Sequence, residues 1–362
     1  MKGYKRTFTL PFKFDIPTYI IGFLDKSSLM SIYFKYLKRF IYIYIKRQSK
    51  LEISSISTSH KKILWINLSA PSLGDSLMDL SSRVLLKDRL VDLYTDKKNA
   101  HLYFNDDVFN NVYSQEDKLI KANYDLVILD SFSTRTIKVK FKLASSTLFV
   151  GMFGYFNGPE VNRVLFSFHR MNHLLGYIKS EKSINFLSRP SLSIAKKDIE
   201  VVSHSRLPKD YIAIAIGGEW NYRAFNNWHK IIRSLIDNDK NLKIVLVGSK
   251  NALRFSKELM EKTPSDNLMN CVDKFSFTQT AEIINQSQLL ICCDGGLMHA
   301  ANALKTPILA IFARLKPQMQ LTDSIVSFSL FDNEDVNNIN VSAILEEYSK
   351  FTNFAYNRLP FE

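Results

Sequence analysis

Short apolar runs of strand length alternate with amphipathic stretches of helix length, twice over, and this alternation constrains the fold more than any other feature. The first set starts at residue 61 with "KKILWINLSA", a strand running into a loop. "DSLMDLSSRVLLKD" follows as an amphipathic helix with Leu77, Leu80, Val84 and Leu85 on one side. "RLVDLYTD", "YDLVILDSF" and "STLFVGMFG" read as further strands, and "NRVLFSFHRMNHLLGYI" as a closing helical region. The second set runs from strand "YIAIAIGGEW" through "NNWHKIIRSLID", "LKIVLVGS", "NALRFSKELMEK" and "TQTAEIINQS". It ends on "SQLLICC", a stubby helix "LMHAANAL" and "TPILAIF". Strands that alternate with helices build parallel sheets covered on both faces, so the expectation is two doubly wound α/β domains facing each other. No repeat of solenoid length is present.

A chain of 362 residues is long enough for two such domains. The patterning places a basic arm at 1–55, a first domain at 56–180 and a weakly patterned linker at 181–208 that ends in Pro208. A second domain follows at 209–345, then an aromatic tail at 346–362, expected to dock on the first domain. Three cysteines, Cys271, Cys292 and Cys293, form no zinc-type spacing, and adjacent Cys292 and Cys293 point to opposite faces of a strand. A reducing, cytoplasmic compartment is the expectation.

The formal charge of +13 is unevenly spread, because residues 1–50 hold eleven Lys or Arg against two Asp. A chain that grips nucleic acid through its fold carries its charge on the folded domains, so nucleic acid is not an expected partner. Within the arm, "SSLMSIYFKYLKRFIYIYIKRQSK" gathers Lys35, Lys38, Arg39 and Lys46 on one side of a helix. Leu29, Tyr33, Tyr36, Leu37, Phe40 and Ile43 lie largely on the other. The run is too often broken by charge to cross a bilayer, and no convincing signal-peptide cleavage site precedes it. A basic, aromatic helix of this kind suits an anionic membrane surface, giving a peripheral location on the inner face of the cytoplasmic membrane. Packing on the first domain with a solvated basic face explains it equally well.

Three strand-to-helix loops carry candidate chemistry, since ligands of open α/β sheets bind beyond the carboxyl ends of strands. In "LSAPSLGD", Ser72 and Gly74 precede Asp75 at a helix start. The local pattern favours Asp75 as a helix cap, while the functional alternative is a base for a substrate hydroxyl. In "GGEWNYRAFNNW", Gly217 and Gly218 end an apolar strand, with Glu219 and Arg223 behind them. Arg223 is suited to a diphosphate, or to a salt bridge with Glu219. In "CCDGGLMHAANAL", Gly295 and Gly296 let bare backbone approach an anion at a helix N-terminus. His299 could donate to that anion and Asp294 could bind sugar hydroxyls; a tight turn with a cap is the plainer account. No G-x-G-x-x-G or Walker loop is present, and "IDND" near residue 237 reads as a solvated turn rather than a metal site.

"ILWINLSAPSLGDSLMDLSSRVLL" and "LLICCDGGLMHAANALKTPILAIF" together resemble the two signatures of the lipopolysaccharide heptosyltransferases, glycosyltransferase family nine. The resemblance covers residues 61 to 345 and leaves the arm outside. It implies a GT-B architecture of two Rossmann-like domains across a cleft, acceptor on the first and nucleotide-sugar on the second. It also implies inverting, metal-independent transfer of heptose from ADP-heptose to lipopolysaccharide or another cell-surface glycan, with no cofactor. Carried over by position, Asp75 matches the catalytic base, and Asp294, Gly296 and His299 match donor-binding positions. The chain departs from the family at Gly295, usually Thr or Ser, at "YRAFNNW", usually a Lys-x-Trp-Pro loop, and at Ala313, usually Gly. A nucleotide-sugar epimerase or hydrolase, or a non-catalytic glycan- or nucleotide-binding protein, would share much of this pattern.

Overall fold

The computed structural model describes residues 16–22, 29–114, 123–156 and 160–356. Expectations for residues 1–15 and 23–28 of the arm, and for 357–362 of the tail, fall outside the described residues. The chain divides into two compact units, Met1–Ser193 with Gln318–Ser324, and Ile194–Pro317 with Ile325–Glu362.

The first unit begins with helix α1 (Leu29–Ile45). It continues with β1 (Lys62–Asn67), α2 (Leu73–Asp79), β2 (Leu90–Thr95), β3 (Phe109–Tyr113) and β4 (Leu126–Ser131). Then come α3 (Thr134–Leu143), β5 (Phe149–Gly154), α4 (Arg163–Leu174) and α5 (Glu181–Leu187). The strands pair in parallel in the order β3-β2-β1-β4-β5. Ile63, Leu64, Val127 and Ile128 on the central strands are fully buried, as strands covered on both faces must be. The order reverses between β1 and β4, so the loops leaving these two strands diverge and open a crevice.

The second unit holds α6 (Lys196–Ser203), β6 (Tyr211–Ala215), α7 (Trp228–Asn238), β7 (Lys243–Val247), α8 (Leu253–Lys262) and β8 (Leu268–Asn270). It is completed by α9 (Phe277–Asn285), β9 (Leu290–Cys293), α10 (Gly296–Leu304), β10 (Ile308–Ala313), β11 (Ser327–Asp332) and α11 (Val341–Tyr356). Its six parallel strands run β11-β10-β9-β6-β7-β8, and the reversal falls between β6 and β9. Ile212, Ile214, Ile244, Leu246, Ile291 and Leu309 pack with Trp228, Ile231 and Leu235 of α7 into one core. Each unit is thus a doubly wound, Rossmann-like sheet.

Four expectations need correction. The helix expected to start at Asp75 stops at Asp79, and Ser81–Leu86 tightens into 3-10 turns. These turns deliver Arg83, 1% exposed, to Asp106 Oδ2 through Nε and Nη2 (2.9 and 2.5 Å). A buried arginine needs such a partner, and a straight helix would not bring it there. The stretch 181–208 carries helices α5 and α6. The tail packs on the second unit through its described part: Phe351 is buried, and the rings of Phe351 and Phe354 lie 6.2 and 6.3 Å from that of Phe328 on β11. Helix α1 is not divided into one basic and one apolar side. Tyr36 and Ile43 pack inward, Tyr33, Leu37 and Phe40 are exposed, and Arg39 donates inward to the Phe156 carbonyl.

Candidate functional site

The first unit places Ser72, Gly74 and Asp75 at the carboxyl end of β1, beside the reversal of strand order. Ser72, not Asp75, is the N-cap of α2: its Oγ accepts from the Asp75 N–H at 3.2 Å. The same hydroxyl donates to Asp75 Oδ2 at 2.6 Å. Asp75 is therefore the third helical residue, relieved of capping by its neighbour, with its carboxylate about one-fifth exposed. The loop before it is held by buried Asp130 at the end of β4, which accepts from the Leu68 and Ser69 N–H groups at 2.7 and 2.6 Å. Burial pushes the Asp130 carboxyl up to about 6, against the opposing pull of those N–H groups and that of Ser131.

An arginine that the sequence did not single out completes this corner. Arg163, at the start of α4, gives Nε and Nη2 to Asp79 (2.7 and 2.5 Å) and Nη1 to Asp75 Oδ1 (3.0 Å). Burial works against the guanidinium charge, but Asp79 and Asp75 outweigh it and raise its pKa. Burial also raises the Asp79 pKa, opposed by Arg163. Asp79 takes the paired fork, so Asp75 keeps only a single-bonded share of the arginine. Nothing local in "GPEVNRVLF" identifies Arg163, because its partners lie 84 and 88 positions away.

In the second unit the two expected donor loops do come together. Gly217, Gly218, Glu219, Trp220 and Arg223 after β6 face Asp294, Gly295 and Gly296 after β9 around a pocket of about 190 Å³. Gly248, Ser249 and Asn251, after β7, form a third wall. Sequence reasoning missed this third loop, although its signal was available: "VGSKN" leaves an apolar strand just as the other two loops do.

The glycines of the two expected loops differ in kind. Gly217 has φ +97°, and a Cβ on Gly218 would lie 2.8 Å from the Arg223 carbonyl oxygen, so the fold itself requires both. At Gly295 the backbone is extended (φ 172°) and a Cβ would meet nothing within 4 Å. At Gly296 the nearest atom would be Phe277 Cε2 at 3.6 Å, an ordinary contact. Packing therefore does not demand the second pair. Both border the pocket where α10 begins, and no side chain caps that helix from Gly295.

Arg223 does not pair with Glu219. Its Nη1 turns to Asp294 Oδ2, 3.1 Å away, with Asp294 almost wholly buried. The contact is an ion pair without hydrogen-bond geometry, and Arg223 Nε is buried with no hydrogen-bond partner. Arg314, immediately after β10, stacks its guanidinium 3.9 Å from the Tyr222 ring centre and donates Nε to the Glu334 carbonyl at 3.0 Å. His299 is not part of the pocket wall. It is 4% exposed, one turn into a helix whose residues from Met298 to Ala303 are all buried. Burial pushes the Cys293 thiol up to about 12, which leaves this wall residue a neutral apolar group rather than a nucleophile.

Comparison with known proteins places this geometry in a family. The sequence model described as Glycosyltransferase family 9 (heptosyltransferase) matches residues 156–343, just over half of the chain. The match takes in Arg163 and the whole second-unit pocket and leaves Asp75 outside it. Comparison with curated proteins found no match. Among solved structures, the family 9 glycosyltransferase of Veillonella parvula superposes with a TM-score of 0.67 at 14% identity, covering 80% of this chain and 97% of that one. The E. coli ADP-heptose lipopolysaccharide heptosyltransferase II gives 0.62 at 18% identity over 80% and 98%. E. coli heptosyltransferase WaaC, solved with ADP, gives 0.58 at 14% identity over 80% and 98%. At these identities the superpositions establish the fold, a GT-B-type pair of Rossmann-like domains, and the family match establishes the activity class: the chain belongs to glycosyltransferase family 9 and is a heptosyltransferase-like glycosyltransferase.

Proposed function

We propose that the chain transfers heptose from ADP-heptose, with inversion and without a metal ion, to a lipopolysaccharide or other cell-surface glycan hydroxyl. The observation that carries the reading is the second-unit pocket, where α10 begins at two glycines that packing does not need. A diphosphate there would meet uncapped helix N–H groups and the favourable end of the helix dipole. Arg223 would supply a guanidinium, Asp294 would accept from sugar hydroxyls, and exposed Trp220 would offer an apolar face to the nucleoside. Gly217 and Gly218 shape the loop, Glu219 stands at the pocket's exposed rim, and His299 acts through the helix it helps bury.

In the reaction, the acceptor oxygen attacks the anomeric carbon and the bond from that carbon to the diphosphate oxygen breaks. The leaving electron pair ends on the diphosphate, stabilised by the helix N–H groups and Arg223. Asp75 takes the hydroxyl proton. Ser72 on Oδ2 and Arg163 on Oδ1 fix the orientation of that carboxylate. ADP-heptose, offered with a heptose-acceptor glycan, should yield a product whose anomeric configuration, read from its proton coupling, is opposite to the donor's. Retention, or donor turnover at the same rate without any acceptor, would refute the reading.

A further inference from the structure

The outward face of α1 serves no need of the transferase site. Met30, Phe34, Leu37, Ile41, Tyr44 and Ile45 recur at steps of three and four, on one stripe of the helix, and are each 40–68% exposed. Phe34, Leu37, Ile41 and Ile45 line an apolar groove of about 450 Å³ with Lys38, Tyr42 and Thr134. Chains that stay free in water rarely display a contiguous patch of this kind.

The helix that carries the stripe is firmly held. Ile43 is 2% exposed, and the Tyr36 ring stands edge-on to Tyr155 at 4.9 Å. Just beyond the helix, Gln48 donates to the Ser145 carbonyl at 3.1 Å and accepts from the Lys140 ammonium. The exposed stripe is thus a fixed outer surface, with its inner side already occupied.

Charge identifies what the stripe faces. Residues 27–51 contain no acid and carry Lys35, Lys38, Lys46, Arg47 and Lys50 besides the inward Arg39. The neighbouring α3 adds exposed Lys138, Phe141 and Lys142, again without an acid, and Lys46 Nζ lies 5.0 Å from the Phe141 ring centre. A second copy of the chain would set these cations against their own kind. A surface of negative headgroups over hydrocarbon matches both the charge and the stripe.

We propose that α1, together with the outer face of α3, seats the enzyme on an anionic bilayer. Phe34, Leu37, Ile41 and Ile45 enter the boundary between headgroups and acyl chains, and the lysines lie at phosphate level. The proposal is independent of which sugar is transferred. It is tested by co-sedimenting the full chain with vesicles of phosphatidylcholine alone or mixed with phosphatidylglycerol. Binding is expected to the mixed vesicles only, and to fall as salt shortens the screening length. Phe34→Ser with Ile41→Ser, and separately Lys35→Glu with Lys38→Glu, should each weaken it at least about tenfold, with unchanged melting temperature because all four side chains are exposed. Failure to sediment with the mixed vesicles, or equal binding to neutral ones, would overturn the proposal. So would a wild-type dimer in light scattering that the Phe34/Ile41 variant converts to monomer.

Discussion

Gly296→Ala separates the donor reading from a purely structural one, because the two readings expect opposite results. Gly296 is the first residue of α10, and an added Cβ would sit in ordinary contact, 3.6 Å from Phe277 Cε2. Alanine is favoured over glycine in a helix by up to about 1 kcal/mol, so melting temperature should hold or rise. If the donor diphosphate packs on the bare backbone here, the methyl holds it off the helix N–H groups. Losing one hydrogen bond to a charged group costs about 1.5–3 kcal/mol, so Kd should rise roughly 10- to 100-fold. Gly218→Ala is the contrast. Its Cβ would lie 2.8 Å from the Arg223 carbonyl oxygen and 3.1 Å from the Ala224 nitrogen, both backbone. Overpacking of this kind costs about 1–3 kcal/mol, which in a unit of this size lowers the melting temperature by roughly 2–12 °C. The assays are differential scanning calorimetry for stability and isothermal titration with ADP for affinity. A Gly296→Ala protein with wild-type ADP affinity would show that no diphosphate lies at the start of α10.

Gly295→Ser should fold as well as wild type, since its side chain enters open space, and its hydroxyl should tighten ADP binding by up to roughly tenfold; weakened binding would mean the pocket is filled differently. Asp75→Asn should lower kcat by about 10²–10⁴-fold, the usual share of a general base, while titration with ADP gives an unchanged Kd. Undiminished turnover would exclude Asp75 as the base. Arg223→Ala strands Asp294 as a buried, unpaired carboxylate, so it should cost stability as well as ADP affinity, and adding Asp294→Asn should restore the first but not the second. Lys140 is fully buried, and burial lowers its pKa to about 7. The unfolded chain holds that proton up to about pH 10.4, so the folded state gains stability as pH rises from about 7 to 10, by at most about 1.4 kcal/mol per pH unit. Lys140→Met should remove that rise in urea titrations across the range, and an unaltered slope would count against it.

The parts of the fold that the sequence makes legible are those whose burial dictates their composition. β1, β4, β6, β7, β9 and β10 each carry an apolar run of at least four residues because they lie inside their sheets. β3, β8 and β11 escaped notice at or next to the edges, where "FNNVY" and "SFSLFD" alternate or expose polar residues and "LMN" is only three long. α3 is hidden for another reason. "TIKVKFKL" alternates apolar and basic residues at the period of a strand, yet Ser133 caps it as a helix by accepting from the Thr136 N–H at 3.1 Å. There the tertiary setting buries Ile137, Val139, Lys140 and Leu143 together and overrides local preference. The site divides in the same way. Asp75, Arg223 and Asp294 stand in loops that announce themselves, while Arg163 and Asp130 act on the Asp75 loop and its helix from distant parts of the chain. The parallel sheets bring them together over separations that no short pattern can encode.

The same device recurs in both units: an acid at a strand-to-helix turn is paired with an arginine from elsewhere, Asp75 with Arg163 and Asp294 with Arg223. The pairs are not equivalent. Arg163 satisfies its fork on Asp79 and gives Asp75 one remaining bond, so Asp75 can gain a proton while the arginine keeps its main partner. Arg223 lies over the Tyr222 ring at 5.3 Å and meets Asp294 without hydrogen-bond geometry, and its Nε is buried without a hydrogen bond. If this pocket is the donor site, an incoming diphosphate would offer Arg223 more than it loses, and an incoming sugar hydroxyl would replace what Asp294 gives up. A phosphate without a sugar would leave that carboxylate buried and short of a partner. The second unit should accordingly bind an intact nucleotide-sugar more tightly than the matching nucleoside diphosphate, and the difference should vanish in Asp294→Asn, whose amide demands far less of a partner than a charge does.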